Sequence, residues 1–124
     1  MEELLARGPE DVTVRAIRAS AWIEVVESPY PSEALLAWDL GRGETSVLAR
    51  ARSVESAVVV VDDLQARRAA YSLALPLRGT LGTVLLAKKR GIIDRARPLL
   101  VQMKARGMFL SDAVLNLALR EVGE

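Results

Sequence analysis

The side chains that could do chemistry in this chain are carboxylates. It has no histidine and no cysteine, so Ser-His-Asp and Cys-His catalysis are excluded. So is a zinc site built from the usual nitrogen and sulfur ligands. Any bound metal must be held by oxygen, which points to magnesium or manganese. Hydrolysis of a phosphodiester remains open to such a chain. Clustered carboxylates can hold one or two divalent ions that activate water and neutralise charge on the phosphate. Without a cation such a cluster repels itself. Two candidates stand out by position. Asp62 is the first residue after "AVVVV" (57–61), with Asp63 beside it. Glu44 opens a helical stretch just after the Gly-rich "GRG". Each has an ordinary structural role as well. Asp62 or Asp63 could cap the following helix, and Glu44 could do no more than favour the positive end of a helix dipole.

The elements that would position these groups alternate strand with helix. "AVVVV" is apolar on both faces, as expected of a central parallel strand covered by helices on both sides. Sites in such sheets lie at the carboxyl ends of the strands, which is where Asp62 emerges. Upstream, residues 2–7 read as a short helix or a helix end. A second covers about 10–20, with Val14, Ile17 and Ala21 on one side. "WIEVVE" (22–27) reads as a strand. Ser32 caps a helix over "EALLAWDL", "GRG" (41–43) breaks it, and a new helix starting at Glu44 buries Val47, Leu48 and Ala51. Downstream, 63–74 is a helix, 75–79 a short strand and turn, and Thr80 a cap for "LGTVLLAKKR". The last third is helical, read as packed hairpins. Gly91, Gly107 and Gly123 stand where left-handed caps are wanted, Pro98 falls in a first turn, and Ser111 caps a helix with an apolar stripe of Val114, Leu115, Ala118, Leu119 and Val122. The expected fold is therefore α/β, three-layered as α/β/α around a parallel sheet, in a single domain over 1–124.

Charge is unevenly spread. Residues 1–63 carry 6 Arg against 12 Asp and Glu, whereas residues 64–106 carry 10 Lys and Arg against the single acid Asp94. A basic block of that kind serves either as ordinary solvated helix faces or as a surface for a polyanion. Arg67, Arg68, Lys88 and Lys89 are its candidates for contacting an RNA backbone. With aromatic residues at 4%, base stacking contributes little. No run of about 18 apolar residues suggests a membrane span. No apolar signal core opens the chain, and with no cysteine the expected location is the cytoplasm. The glycines of "GTLGTVLLAKK" fit neither GxGxxG nor GxxxxGK[ST], so a nucleotide-binding α/β domain is weakly supported.

Three blocks in order, "GRGETSVLARA", "AVVVVDDLQARRAA" and "LRGTLGTVLLAKKRGII", resemble the PIN-domain proteins. More narrowly, they resemble a prokaryotic PIN-like subfamily with a GTLG motif. The resemblance spans residues 1–124 and is most specific over 41–93. PIN domains are small α/β/α ribonucleases, many of them toxins of VapBC-type toxin–antitoxin pairs, which hold magnesium or manganese on an acidic cluster. The resemblance implies Glu44 and Asp62 as metal ligands and catalytic carboxylates, with Asp63 as helper. Glu3, in "EL…G", would supply another ligand. Arg67 matches an arginine that follows the aspartate, and Gly79, Thr80, Gly82 and Lys88 match the GTLG block. RNA, an antitoxin protein and a second copy of the chain are the implied partners. A PIN domain also opens with a strand ending in aspartate. No segment here matches it, so the expectation is a domain lacking its first strand and one metal ligand. The alternative is a catalytically inactive PIN-like module for interaction or dimerisation, because a missing central strand exposes a sheet edge and apolar surface.

Overall fold

The computed structural model describes residues 2–124, with side chains from Leu4 onward. In chain order the elements are α1 (Glu2–Leu5), α2 (Val12–Ala19), α3 (Glu33–Leu36), α4 (Arg42–Arg52), β1 (Val59–Val60), α5 (Leu64–Ser72), β2 (Leu77–Arg78), α6 (Thr80–Lys89), α7 (Arg97–Ala105) and α8 (Asp112–Glu121). β1 and β2 pair in parallel, Val59 opposite Leu77 and Val60 opposite Arg78. The valine run thus delivers a parallel strand, though a shorter one than expected. Val59 is buried while Val58 and Val60 are exposed, so the strand is covered on one side only.

The expected strand over 22–27 is corrected: among the described residues that segment pairs with no strand. A local reason is visible. The Ser28 hydroxyl donates to the Ser46 carbonyl at 2.9 Å, fastening the segment to α4 rather than to β1. Val25, Val26 and Val47 are left exposed, which also corrects the expectation that Val47 is buried. Ala21 lies past the end of α2 and is exposed. α2 itself starts where Asp11 accepts hydrogen bonds from the amides of Thr13 and Val14. The helix expected from Glu44 begins earlier, at Arg42, so only Gly41 of the "GRG" stays outside it. The helix expected over "EALLAWDL" ends at Leu36, with Ala37 as its C-cap and a left-handed Asp39 (φ 49°) taking the chain out of α geometry.

The apolar interior falls into two clusters. The first joins Leu35, Leu48, Ala49, Ala51, Val59, Val61, Ala66, Ala69 and Ala70, drawn from α3, α4, α5 and the β1 segment. The second joins Val84, Leu85, Ala96, Leu100, Leu110, Leu115, Ala118 and Leu119 around α6, α7 and α8. The C-terminal helices end as the glycine spacing predicts, with φ of 70°, 106° and 77° at Gly91, Gly107 and Gly123. Ser111 caps α8 by accepting from the Val114 amide. Of the expected α8 stripe, Leu115, Ala118 and Leu119 are buried, while Val114 is exposed and Val122 half-buried.

One cap was not foreseen. α7 starts without a capping side chain of its own. Instead the Glu124 carboxylate accepts from the Ala96 amide at 2.6 Å and the Arg97 amide at 3.2 Å. The Ala96 amide bond does most to hold the Glu124 pKa below the ordinary glutamate value. Burial opposes this, and the Arg97 amide, Lys88 and Arg95 add to the lowering. A carboxylate whose pKa is lowered on folding adds stability above its unfolded pKa and loses it as pH falls through the folded value. Glu124→Gln is therefore expected to lower Tm by a few degrees at pH 7. The gap to the parent should close in a pH series run down into the acid range, as Glu124 is protonated in the parent.

Candidate active edge at the end of β1

The carboxyl end of β1 leads through Val61 into Asp62 and Asp63, and the two aspartates have different jobs. Asp63 is the N-cap of α5, its carboxylate accepting from the Ala66 amide at 2.8 Å. Asp62 reaches across to the start of α6. One oxygen accepts from the Thr80 amide at 2.8 Å, and the other accepts from the Thr80 hydroxyl. Thr80 was expected to cap α6. It is instead the first helical residue, after Gly79 at the N-cap, and the end of the helix is satisfied by Asp62 from another element. A carboxylate suits that place, because helix N-termini carry free amides and partial positive charge. Asp62 is exposed, and each oxygen has a lone pair beyond the one that meets Thr80.

Arg67 lies against the same corner. Its guanidinium donates to the Val61 carbonyl at 3.1 Å, beside the point where the chain turns out of β1. Gly79 is needed there for space, not for backbone freedom, since its φ is −92°. A Cβ at that position would stand 2.8 Å from the Arg67 Nη1 and 3.0 Å from the Asp62 Oδ1. A methyl group must displace one of them. The Arg67 guanidinium, at the far end of a flexible side chain, would give way and leave the Val61 carbonyl, so Gly79→Ala is expected to cost about 0.5–1.5 kcal/mol, the net worth of one hydrogen bond. Thermal melts of the variant beside the parent would check it.

The other expected site residues are carried by α1, α4, α5 and α6. Glu44 is half-buried in the first turn of α4, where its carboxylate folds back over Gly41. Arg68 is exposed one position beyond Arg67. Lys88 and Lys89 end α6, roughly 12 Å along its axis from Thr80 at about 1.5 Å per residue. Lys88 donates to the Asp94 carbonyl, while Lys89 is exposed. The side chain of Glu3 lies outside the described residues. Among the described residues no three acidic groups come together as a metal-binding set. Asp62 is held by Thr80, Asp63 caps α5, and Glu44 stands at the start of α4. The described donors do not by themselves make a metal site.

The pairing of Thr80 with Asp62, which makes the aspartate a bracket between two elements, is what motif reading did not assign. The signal was the spacing of "DD" before α5 and "GT" before α6, two helix starts of which one lacks an acidic cap of its own.

No curated protein and no solved structure matches the chain. A family model described as a PIN domain matches residues 1–124. Proteins of this kind bind nucleic acid, are typically metal-dependent nucleases, and generally use divalent ions. With the full length matched, and with Asp62 held at the carboxyl end of a parallel strand, the chain belongs to the PIN-domain family.

Proposed function

We propose that this PIN domain acts on RNA as a ribonuclease, paired with an antitoxin protein, and that Asp62 is the carboxylate on which its activity depends. The observation that supports this is the bracket at the end of β1. Asp62 is exposed, yet both its oxygens are oriented by Thr80, and a rigid, accessible carboxylate at a parallel strand's end is what such a site requires. Glu44 and Glu3 are the further carboxylates of the reading. Magnesium or manganese, when bound, would supply activated water and charge neutralisation. Arg67 and Arg68 stand nearest to the edge among the cations proposed to meet the RNA backbone, with Lys88 and Lys89 farther along. The reading treats residues 1–124 as one three-layered α/β/α domain. No helix of the described residues is long and apolar enough to cross a membrane, in keeping with action on RNA in the cytoplasm.

The test is incubation of purified protein with RNA and manganese, followed on denaturing gels, beside an Asp62→Asn variant. Cleavage by the parent and not by the variant supports the reading, and equal cleavage by both would sink it.

A second reading, a catalytically inactive module that works by dimerisation, is favoured by the exposed valines Val58 and Val60 on β1 and its flank. It expects no cleavage and a dimeric mass in solution. A stable, well-folded monomer counts against it.

A further inference from the structure

α5 leaves the Asp62 corner and opens the basic block of the chain. Residues 64–93 hold no acidic residue. Tyr71 is the single aromatic residue between positions 64 and 106, and it is 84% exposed near the end of α5. Among the described residues its hydroxyl has no hydrogen-bond partner. Neither packing nor hydrogen bonding within the fold accounts for a ring at this place.

Helix geometry decides what the ring stands beside. Positions three and four apart are neighbours on a helix surface. Arg68 and Arg67 stand three and four positions before Tyr71, so the ring neighbours both, while Ala66, Ala69 and Ala70 take the buried side of α5. Side chains on a helix lean towards its N-terminus, which here is the end beside Asp62. Arg67 reaches that corner. Its guanidinium donates to the Val61 carbonyl, and its Nη1 and the Asp62 Oδ1 flank one point, 2.8 and 3.0 Å from where a Gly79 Cβ would stand. Carboxylate, guanidinium and ring thus follow one another, the last step being about 5.4 Å, one helical turn. Arg68 is exposed on the other side of the ring.

We propose that Tyr71 and Arg68 form a nucleotide subsite beside the Asp62 edge, in which the ring stacks on one unpaired base and the guanidinium meets the adjoining phosphate. This subsite rests on the reading of the Asp62 edge as one that takes RNA, and it sets the direction in which the strand leaves, along α5. Arginines alone would suit any polyanion. A ring within one turn of two guanidinium groups, on a stretch free of acids, suits a polymer in which apolar ring faces alternate with phosphates.

The probe is a fluorescently labelled single-stranded RNA octamer, titrated with the full chain in EDTA so that binding is read without cleavage. Tyr71→Ala is expected to weaken binding roughly 5- to 100-fold, the usual effect of removing one stacking ring. It should melt with the parent, because the ring is exposed. Should it melt lower, Tyr71→Leu, which keeps apolar bulk without an aromatic face, decides in its place. Tyr71→Phe keeps the ring and should bind as the parent does. An octamer of the same sugar-phosphate backbone without bases should bind parent and Tyr71→Ala alike. Arg68→Ala should reduce the slope of log affinity against log salt by about 0.7, the share of one phosphate on a single strand, and an unchanged slope would remove Arg68 from the subsite. Equal binding of the octamer by parent and Tyr71→Ala would overturn the proposal and leave the ribonuclease reading standing. So would an equal loss on the baseless octamer, which would mark an effect of charge or folding. No RNA binding by the parent would overturn both. Tyr71-dependent binding without cleavage in manganese would uphold the subsite and remove the nuclease.

Discussion

An Asp62→Asn variant is expected to fold like the parent and to lose RNA cleavage by on the order of 100-fold or more, since even outer-shell support of a metal ligand is worth 10–100-fold. Asparagine can preserve the bracket to Thr80. Its carbonyl oxygen accepts from the Thr80 amide as the carboxylate does, and its NH2 group can donate to the Thr80 hydroxyl, which also accepts. The loss of negative charge at the start of α6 costs about 0.3–1 kcal/mol, a small shift in a thermal melt. The negative charge itself, which a cation or the chemistry of a phosphodiester would need, is gone. A melting curve and a cleavage time course on the same preparations separate the two effects. A folded variant that still cleaves would remove Asp62 from the chemistry. A variant that cleaves less only in proportion to its unfolding would make Asp62 a helix cap and no more.

The second large effect is in the first apolar cluster. Leu48 is fully buried on α4, and its replacement by alanine is expected to cost about 2–5 kcal/mol, the usual range for a leucine truncated in a core. The midpoint of urea unfolding should fall while the slope stays near the parent's, which marks a change in stability alone. The neighbouring Val47→Ala is the internal control. Val47 sits on the same helix but is 43% exposed, so the change should be within about 0.5 kcal/mol of the parent, as at most surface positions. Similar losses for both would mean that the 23–28 segment packs far more tightly over α4 than the structure shows.

Much of this arrangement was legible in the chain because it is written locally. The caps Ser32, Asp63 and Ser111 and the three left-handed glycines of the C-terminal third follow from residue type and position alone, and all are found. The parallel strand after "SA" and the placement of Asp62 at its end follow from the run of valines. What failed depended on partners. "WIEVVE" has strand composition, but a strand needs a neighbour, and no residue in the segment tells that Ser28 anchors it to α4. The burial of Val47 failed for the same cause, since the surface it faces is a groove. The link between Asp62 and Thr80 spans 18 positions, beyond any local motif. So does the cap of α7 by Glu124, 28 positions from Ala96.

The split of the apolar interior has a consequence for cooperativity. Asp62 leaves β1 on the side of the first cluster, and Thr80 opens the helix that enters the second. The corner proposed as the active edge therefore lies on a seam between two potential units of local opening. A ligand that binds only when both sides of the seam are in place stabilises their union by RT ln(1 + [L]/Kd). Bound nucleic acid would then slow amide exchange in α7 and α8 along with exchange at the corner itself.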